Sequence, residues 1–481
     1  MDQVRIQKFN EVYNKIWCED WLARELDQFF TFKVPGYKFT PLYKAGVWDG
    51  SIHLFDQRNG LLYGGLLSYV DKFCQEREYE IEYLTDFAQD EFSLIEAKQF
   101  VQSLNVPNLD ERQYQVEAFC HSVRNKRALL LSPTGSGKSF IIYLLTRYYQ
   151  AKTLIIVPVV SLVHQMYSDF KSYGFDSDQY CHKIHEGKDT EKPIVISTWQ
   201  SIYNQPKKWF DQFDVVIGDE AHLFKAKSLT KIMTMLTKCQ YRFGFTGTLD
   251  GTATHRLVLE GLFGPVKRTT TTSELIENKI LSDFMIKCIV LKYSDEQCKL
   301  MQKTKYQDEI DFLVRSEKRN KFIKNLALSL KGNTLLLFQY VEKHGKMLNK
   351  MISDSVESGR NVYFVHGQVE SEDRENIRKL VEVEKDAIII ASYGTFSTGI
   401  NIKNLHNIIF ASPSKSKVRN LQSIGRGLRL GSDKEKCTLY DISDNLQWKQ
   451  HKNHTLKHFI ERMKIYNEEK FETKLYTVKL Q

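Results

Sequence analysis

No run of apolar residues in this 481-residue chain is long enough to cross a membrane; the longest, over 153–163, is broken by Pro158. The first ten residues are charged and lack the apolar stretch of a leader, so no secretion signal is expected and the chain should act in the cytoplasm. Cysteine is present but unclustered. The eight residues at 18, 74, 120, 181, 239, 288, 298 and 437 include no C-x-x-C pair, which argues against a zinc or dithiol site and for free thiols in a reducing compartment. Short repeats and low-complexity tracts are also absent. With 42% hydrophobic and 26% charged residues, composition gives no case for disorder. The length exceeds what one hydrophobic core organises, so two to four domains are expected.

What is present is positive charge, unevenly placed. The net charge is +9, yet residues 1–107 hold 11 Lys and Arg against 17 Asp and Glu, so the remainder carries a surplus of 15 positive charges. A basic body suits a polyanionic partner and an ordinary solvated surface about equally.

Hydrophobic patterning divides the chain further. Residues 1–105 read as a small α+β domain: a helix ending in an aromatic cluster over 23–32, then strand-like alternation over 37–55 with turn signals at Pro35-Gly36, Asp49-Gly50 and Asn59-Gly60. A linker is expected near 105–108. From Arg112 onward, short apolar runs alternate with helical stretches. Runs at 128–131, 153–157, 194–197, 215–217 and 241–245 read as buried parallel strands. The rhythm restarts at 334–338, 362–365, 387–391, 407–411 and 438–441. Two doubly wound α/β domains in series are therefore expected, over 106–270 and 271–447, joined near 265–285, with their sites at the carboxyl ends of the strands. Residues 448–481 read as a basic tail with a helix and a short strand. His451, His454 and His458 share a helical face there, and no Cys or carboxylate completes a metal set, so a solvated or nucleic-acid-facing surface is expected.

Three motifs carry chemistry. Ser132-Pro133-Thr134-Gly135-Ser136-Gly137-Lys138-Ser139 follows a strand and opens a helix, the setting a phosphate-binding loop needs. Lys138 can reach the β- and γ-phosphates of ATP, and Ser139 can hold Mg²⁺. Ser132 stands where the pattern asks for glycine or alanine. Next, the strand at 215–217 leads to Asp219-Glu220-Ala221-His222, in which Asp219 would hold Mg²⁺ and Glu220 would position the attacking water. Alone, this tetrapeptide could be an exposed acidic turn. Finally, Arg426 and Arg429, in Gln422-Ser423-Ile424-Gly425-Arg426-Gly427-Leu428-Arg429, project from one helical face toward a γ-phosphate; an isolated basic surface helix is the alternative.

Together these motifs resemble the superfamily 2 helicases over about residues 108–445. The resemblance implies two tandem RecA-like domains and assigns further roles. Arg112 and Gln115 would read adenine. Pro158, Ser161 and Gln165 would track the nucleic-acid backbone, with Thr198 and Gln200. Thr246 and Thr248, in Thr-Gly-Thr, would couple hydrolysis to movement with His222 and Gln422. The segment His366-Gly367 also fits the family. Gly394 and Thr395 would touch nucleic acid, and Gly399 and Asn401 would lie on the ATP side, Asn401 replacing a common aspartate. More narrowly, the whole chain is similar to the UvsW family of phage branch-migration helicases, which implies action on Holliday junctions, stalled forks and R-loops in recombination and repair. DNA, branched or single-stranded, and RNA–DNA hybrids are the implied partners, and a monomer is compatible with this. In the N-terminal domain, Lys38, Lys44, Arg58 and the Trp48 ring could grip DNA, although Trp48 reads more readily as core.

The expectation is a DNA-dependent ATPase and helicase. An RNA helicase or a restriction-system translocase is a rival with nearly the same motor motifs, though no nuclease motif is evident. A nucleic-acid-binding scaffold with a dead ATP site is the rival of another class; intact Lys138, Glu220 and Arg426 argue against it.

Overall fold

The computed structural model describes residues 3–34, 36–107, 111–184, 192–223, 226–249, 253–367, 369, 371–395, 402, 404–412, 424–425 and 436–480. The chain divides into two compact units, residues 1–132 with 137–270, and residues 133–136 with 271–481. No described helix is long and apolar enough to cross a membrane. All eight cysteines are free, and all but Cys18 are buried.

The first unit is built on a seven-stranded, all-parallel sheet. Its strand order is Cys181–Ile184, Ile194–Thr198, Thr153–Val157, Val215–Gly218, Tyr241–Thr246, Arg127–Leu131, Val266–Arg268. The Val/Ile/Leu runs form these strands because both faces are covered, and successive side chains go to opposite sides. Leu130, Ile155, Val157 and Ile217 pack toward the helices Gln113–Asn125, Lys138–Tyr149 and Val160–Ser172. Leu129, Leu154, Ile156 and Val216 pack toward Ala226–Met235 and Ala253–Phe263.

That second face also carries the N-terminal residues. A mixed five-stranded sheet, ordered Phe55–Asp56, Leu61–Tyr63, Tyr13–Trp17, Gln3–Lys8, Glu80–Tyr83, packs with the helices Asp20–Phe29 and Leu67–Arg77. Its core residues Val4, Ile6, Leu26 and Phe73 are continuous with Leu259, Leu262 and Phe263 of the first parallel-sheet domain. Polar contacts reinforce the junction. The Tyr69 hydroxyl donates to Glu260, Arg127 Nη2 donates to the Glu11 carbonyl at 2.8 Å, and Glu11 N donates to the Thr237 carbonyl at 3.1 Å. The helix Leu94–Ser103 packs on the opposite face of the parallel sheet, so the chain passes into the motor well before residue 105.

One local expectation is corrected. The stretch 37–55 is not continuously strand-like: Tyr37–Phe39 and Pro41–Lys44 are helical turns, and pairing resumes only at Ser51–His53 and Phe55–Asp56. Pro41, at the first position of its turn with Thr40 as cap, favours the helical course over the aromatic alternation.

The second unit repeats the architecture with the strand order Val362–Val365, Ile388–Ser392, Thr334–Phe338, Asn407–Phe410, Lys436–Asn445, Asp283–Lys292, Glu472–Lys479, all parallel. Asp283–Lys292 begins inside the stretch expected to join the domains, yet it pairs along ten residues with Lys436–Asn445. The expected basic tail is likewise not a tail. Its strand pairs with Asp283–Lys292 at the sheet edge, and its helix His454–Glu468 sends Arg462 into the interior. There Arg462 makes two 2.8 Å bonds to the Asp441 carboxylate, which also accepts from the Tyr466 hydroxyl. Such a fork-to-carboxylate pair suits a buried site because the two charges meet through parallel hydrogen bonds. Glu309 accepts from the Thr455 and His454 backbone N–H groups, holding the start of the same helix. His454 and His458 lie against the Tyr306 ring instead of forming an open surface. No cluster of metal-ligating side chains occurs among the described residues. Both units are thus RecA-like doubly wound sheets, the first carrying the small α+β domain.

Candidate active site

The phosphate loop grows from the strand Arg127–Leu131 and feeds the helix Lys138–Tyr149. Ser132, fully buried, donates its N–H to the Thr246 carbonyl at 2.8 Å and accepts from the Thr269 hydroxyl at 3.1 Å. That burial requires a small residue and explains why serine serves at the first loop position. Gly137 caps the helix at φ +78°, and a Cβ there would stand 2.4 Å from Gln115 Nε2, so glycine is needed both for conformation and for space. The buried Gln115 amide, expected to read adenine, lies beside Gly137 and accepts from the Arg112 N–H at 3.2 Å. Arg112 begins the same helix, with its guanidinium on the Tyr114 hydroxyl at 3.0 Å.

On the neighbouring strand ends, Asp219 follows Val215–Gly218 and is held by its N–H on the Ile156 carbonyl at 2.9 Å. Burial pushes its carboxyl up, to about 6, against the opposing pull of the Lys138 ammonium. Glu220 has a left-handed backbone, φ +49°, and donates its N–H to Asp219 Oδ1 at 2.9 Å. For a residue with a Cβ this conformation costs on the order of 1–2 kcal/mol. It sends the side chain back across the strand ends, where Glu220 Oε1 accepts from Lys138 Nζ at 2.5 Å. The pair joins the loop to the acidic turn across the strand ends.

His222 and Thr246 connect the acidic turn to the next strand. The Thr246 hydroxyl lies 2.7 Å from the Thr248 carbonyl, which can only accept, so its one proton points there. The 2.6 Å contact between His222 Nδ1 and Thr246 Oγ1 is then donated by the imidazole, which fixes the proton on Nδ1. The same nitrogen lies 3.5 Å from Glu220 Oε2. Thr246 thus holds the loop through its carbonyl and the acidic turn through its side chain.

Sequence reasoning did not single out Tyr173. Its hydroxyl is 2.9 Å from Ser139 Oγ, and its ring packs on Phe140 and Tyr143. Burial pushes that hydroxyl up, to about 12, so it stays protonated. No local pattern marks it, because its partner lies on another helix.

The expected nucleic-acid residues of the first unit cluster at adjacent strand ends, since Val157 and Thr198 are register neighbours. Pro158 is buried, whereas Ser161 and Gln165 lie exposed at the start of Val160–Ser172, and Gln200 is exposed. Thr198 is buried and caps the turn Trp199–Ile202, its hydroxyl 2.9 Å from Ser201 Oγ. Its side chain is therefore committed to the fold. In the second unit, Gly394 is exposed and Thr395 is buried, its hydroxyl on Ser392 at 2.8 Å. Gly399, Asn401, Gln422, Arg426 and Arg429 lie outside the described residues.

Residues 103–251 match the family model described as the res subunit of type III restriction enzymes, and residues 317–431 match the helicase conserved C-terminal domain. Residues 3–84 match the N-terminal domain of the DNA helicase UvsW. The ATP-dependent DNA helicase uvsW of Enterobacteria phage T4 is 36% identical, covering 99% of each chain. The crystal structure of T4 UvsW aligns over 100% of both chains at 34% identity with a TM-score of 0.53. A DNA-bound type ISP restriction-modification enzyme, LlaBIII, shares the fold at 15% identity, over 86% of this chain and 34% of that one, with a TM-score of 0.58. The near-complete match to the phage T4 protein shows that this chain belongs to the UvsW helicase family.

Proposed function

We propose that the chain is an ATP-dependent phage DNA helicase that remodels branched DNA: Holliday junctions, stalled forks and R-loops. The observation that carries the ATPase reading is the meeting of Lys138 and Glu220 at 2.5 Å across the carboxyl ends of a parallel sheet. Lys138 binds the β- and γ-phosphates, Ser139 and Asp219 hold Mg²⁺, and Glu220 orients the attacking water. Arg426 and Arg429 stabilise charge on the transferring phosphoryl group; fingers of this kind are worth roughly 10³–10⁵ in rate. Arg112 and Gln115 hold the base. His222, Thr246, Thr248 and Gln422 carry the change at the γ-phosphate outward. Ser161, Gln165, Gln200 and Gly394 meet the DNA backbone, so binding is indifferent to sequence, and the surplus of positive charge beyond residue 107 makes affinity fall with salt. The setting is the host cytoplasm, and the chain works as a monomer on branched or single-stranded DNA, with RNA–DNA hybrids as further substrates.

The test is ATPase turnover measured side by side on single-stranded DNA, forked DNA, a four-way junction and RNA. Stimulation by the DNAs, greatest with branched forms, is the expected result. Stimulation by RNA alone overturns the substrate class, and no hydrolysis with any of them leaves a binding scaffold. The match to a restriction-enzyme subunit favours a second reading, duplex translocation without strand separation. Displacement of a third strand from a triplex, with no unwinding of forks, would select it.

A further inference from the structure

The chain passes from the first unit to the second within a run of four threonines, residues 269–272. The stretch 266–331 that contains this run has no glycine and no proline. On the first side, Thr269 donates its N–H to the Leu131 carbonyl at 3.0 Å, just past the pairing of Val266–Arg268 with Arg127–Leu131. Its hydroxyl donates to Ser132 Oγ at 3.1 Å. On the second side, Thr271 caps the helix Thr272–Glu277. Its hydroxyl accepts from the Glu274 N–H at 3.2 Å, and its own N–H donates to the Glu274 carboxylate at 3.0 Å. That helix is built into the second unit. Ser273 donates its hydroxyl to the Glu469 carbonyl at 2.7 Å, Thr272 donates to the Glu469 carboxylate at 3.3 Å, and Leu275 is buried. Glu469 ends the helix that Arg462 fastens to Asp441.

A residue tied to the first unit and a residue tied to the second are thus separated by Thr270 alone. Any change of orientation between units joined in this way falls on the backbone dihedrals at Thr270 and its two neighbouring peptides. A β-branched residue restricts those dihedrals, where the glycine of a loose linker would not. Thr270 is also buried. The other end of the threonine contact is equally specific. Ser132 is fully buried and opens the phosphate loop, at the position where the loop pattern asks for glycine or alanine. Neither of those could accept the Thr269 hydroxyl, and a hydroxyl in the core is costly without a partner. The departure from the loop pattern and the threonine at 269 therefore explain each other.

We propose that Thr270 is the pivot between the two units and that Thr269 is a positioning residue, tying this pivot to the phosphate loop through Ser132. Nucleotide in the loop then sets the pivot. This rests on residues 132–139 being the ATP loop, and it names the connection that carries the loop's state toward the second unit.

The experiment uses the full-length protein with a donor and an acceptor dye, one on each unit, and a non-hydrolysable ATP analogue as the probe. In the parent, the analogue should shift the inter-dye distance. Thr269→Val keeps the branched shape and removes the hydroxyl. It should melt with the parent and bind the analogue, yet the nucleotide-induced population ratio should fall about 2- to 10-fold, the effect of losing one hydrogen bond of ordinary strength. Thr269→Ser should restore the shift. Ser132→Ala removes the other partner, and the double variant should lose no more than either single one, because both remove the same bond. For the pivot, Thr270→Gly should broaden the distances of the nucleotide-free protein. Lys279→Gly, just beyond the linker helix and at φ +55°, should leave them as in the parent. A full shift in Thr269→Val, or losses that add in the double variant, overturn the tie to the loop. Equal broadening by Thr270→Gly and Lys279→Gly, or none by either, overturns the pivot. A parent that binds the analogue with no change of distance overturns the proposal alone, whereas a parent that binds no analogue sinks the ATP-loop reading itself.

Discussion

The Tyr173 hydroxyl meets Ser139 Oγ at 2.9 Å, placing the end of one helix on the serine that follows the phosphate-loop lysine. Tyr173 directly follows Val160–Ser172, whose first turns expose Ser161 and Gln165 toward the expected DNA track. A single helix therefore joins the expected DNA side to the serine proposed to hold Mg²⁺. To bind the cation, Ser139 must turn away from Tyr173. Removing the competing hydroxyl in Tyr173→Phe should lower the Mg²⁺ concentration for half-maximal ATPase by about 2- to 10-fold, the worth of one ordinary hydrogen bond. DNA should stimulate the variant less, because its basal rate is already raised. Magnesium titrations with and without DNA check this, and unchanged or weaker Mg²⁺ dependence speaks against it.

Glu220→Gln should abolish turnover while nucleotide binding survives or tightens. The amide cannot orient water as a carboxylate does, and Lys138 loses the anion that competes with phosphate. Lys138→Ala should lose binding as well as turnover. Fluorescent nucleotide titration beside an ATPase assay separates the two, and parent-like hydrolysis by Glu220→Gln would place the water elsewhere.

Asp219 gives a pH prediction with a defined sign. Its folded carboxyl is raised, to about 6, chiefly by burial, so ionisation destabilises the free protein above the usual carboxylate range. Asp219→Asn should therefore raise thermal stability at pH 7.5, by on the order of 1–3 kcal/mol, and that advantage should fade as pH falls from 6 toward 4. Mg²⁺-dependent activity of the parent should decline below about pH 6 for the same reason, since protons then compete with the cation. Melting curves across pH decide the first claim. A gain that grows on acidification contradicts it.

Much of the motor was legible in the sequence because its chemistry is local. Thr153–Val157 and Thr334–Phe338 are apolar after their first threonine, the pattern that strands covered on both faces favour. Lys138 and Glu220 are 82 residues apart, yet each is announced by its own motif. Features that depend on distant partners were not legible. Asp283–Lys292 contains Lys287, which breaks an apolar run that would otherwise signal a strand; Lys287 is accommodated over the Tyr440 ring on the next strand. Tyr173 acquires meaning only beside Ser139. The C-terminal histidines looked solvated because nothing nearby in the sequence announces Tyr306.

Thr246→Val should uncouple the site. It keeps the shape but removes both the acceptor for His222 and the donor to the Thr248 carbonyl, leaving buried polar groups unpaired at about 1–3 kcal/mol. Thr246→Ser retains the hydroxyl and should behave as the parent. The expected signature is ATP hydrolysis reduced less than fork unwinding, so that more ATP is consumed per base pair opened. Equal losses in both activities would make Thr246 a purely structural residue.

Deleting the N-terminal domain is a poor way to ask what it senses. Val4, Ile6, Leu26 and Phe73 share one core with Leu259, Leu262 and Phe263, so a chain starting near residue 85 bares a motor surface built to be covered. Each large apolar side chain returned to water costs about 1.5–3 kcal/mol. Three of them would lower the melting temperature by more than about 10 °C in a domain of this size. The Arg127 guanidinium would also lose its contact to Glu11. The truncated protein should therefore aggregate or melt early, and its ATPase should fail with DNA of every shape. Differential scanning fluorimetry and size-exclusion chromatography give the answer directly. A truncation that melts with the parent and keeps single-strand-stimulated ATPase would mean the shared core is dispensable. In that event junction activity could be assigned by deletion.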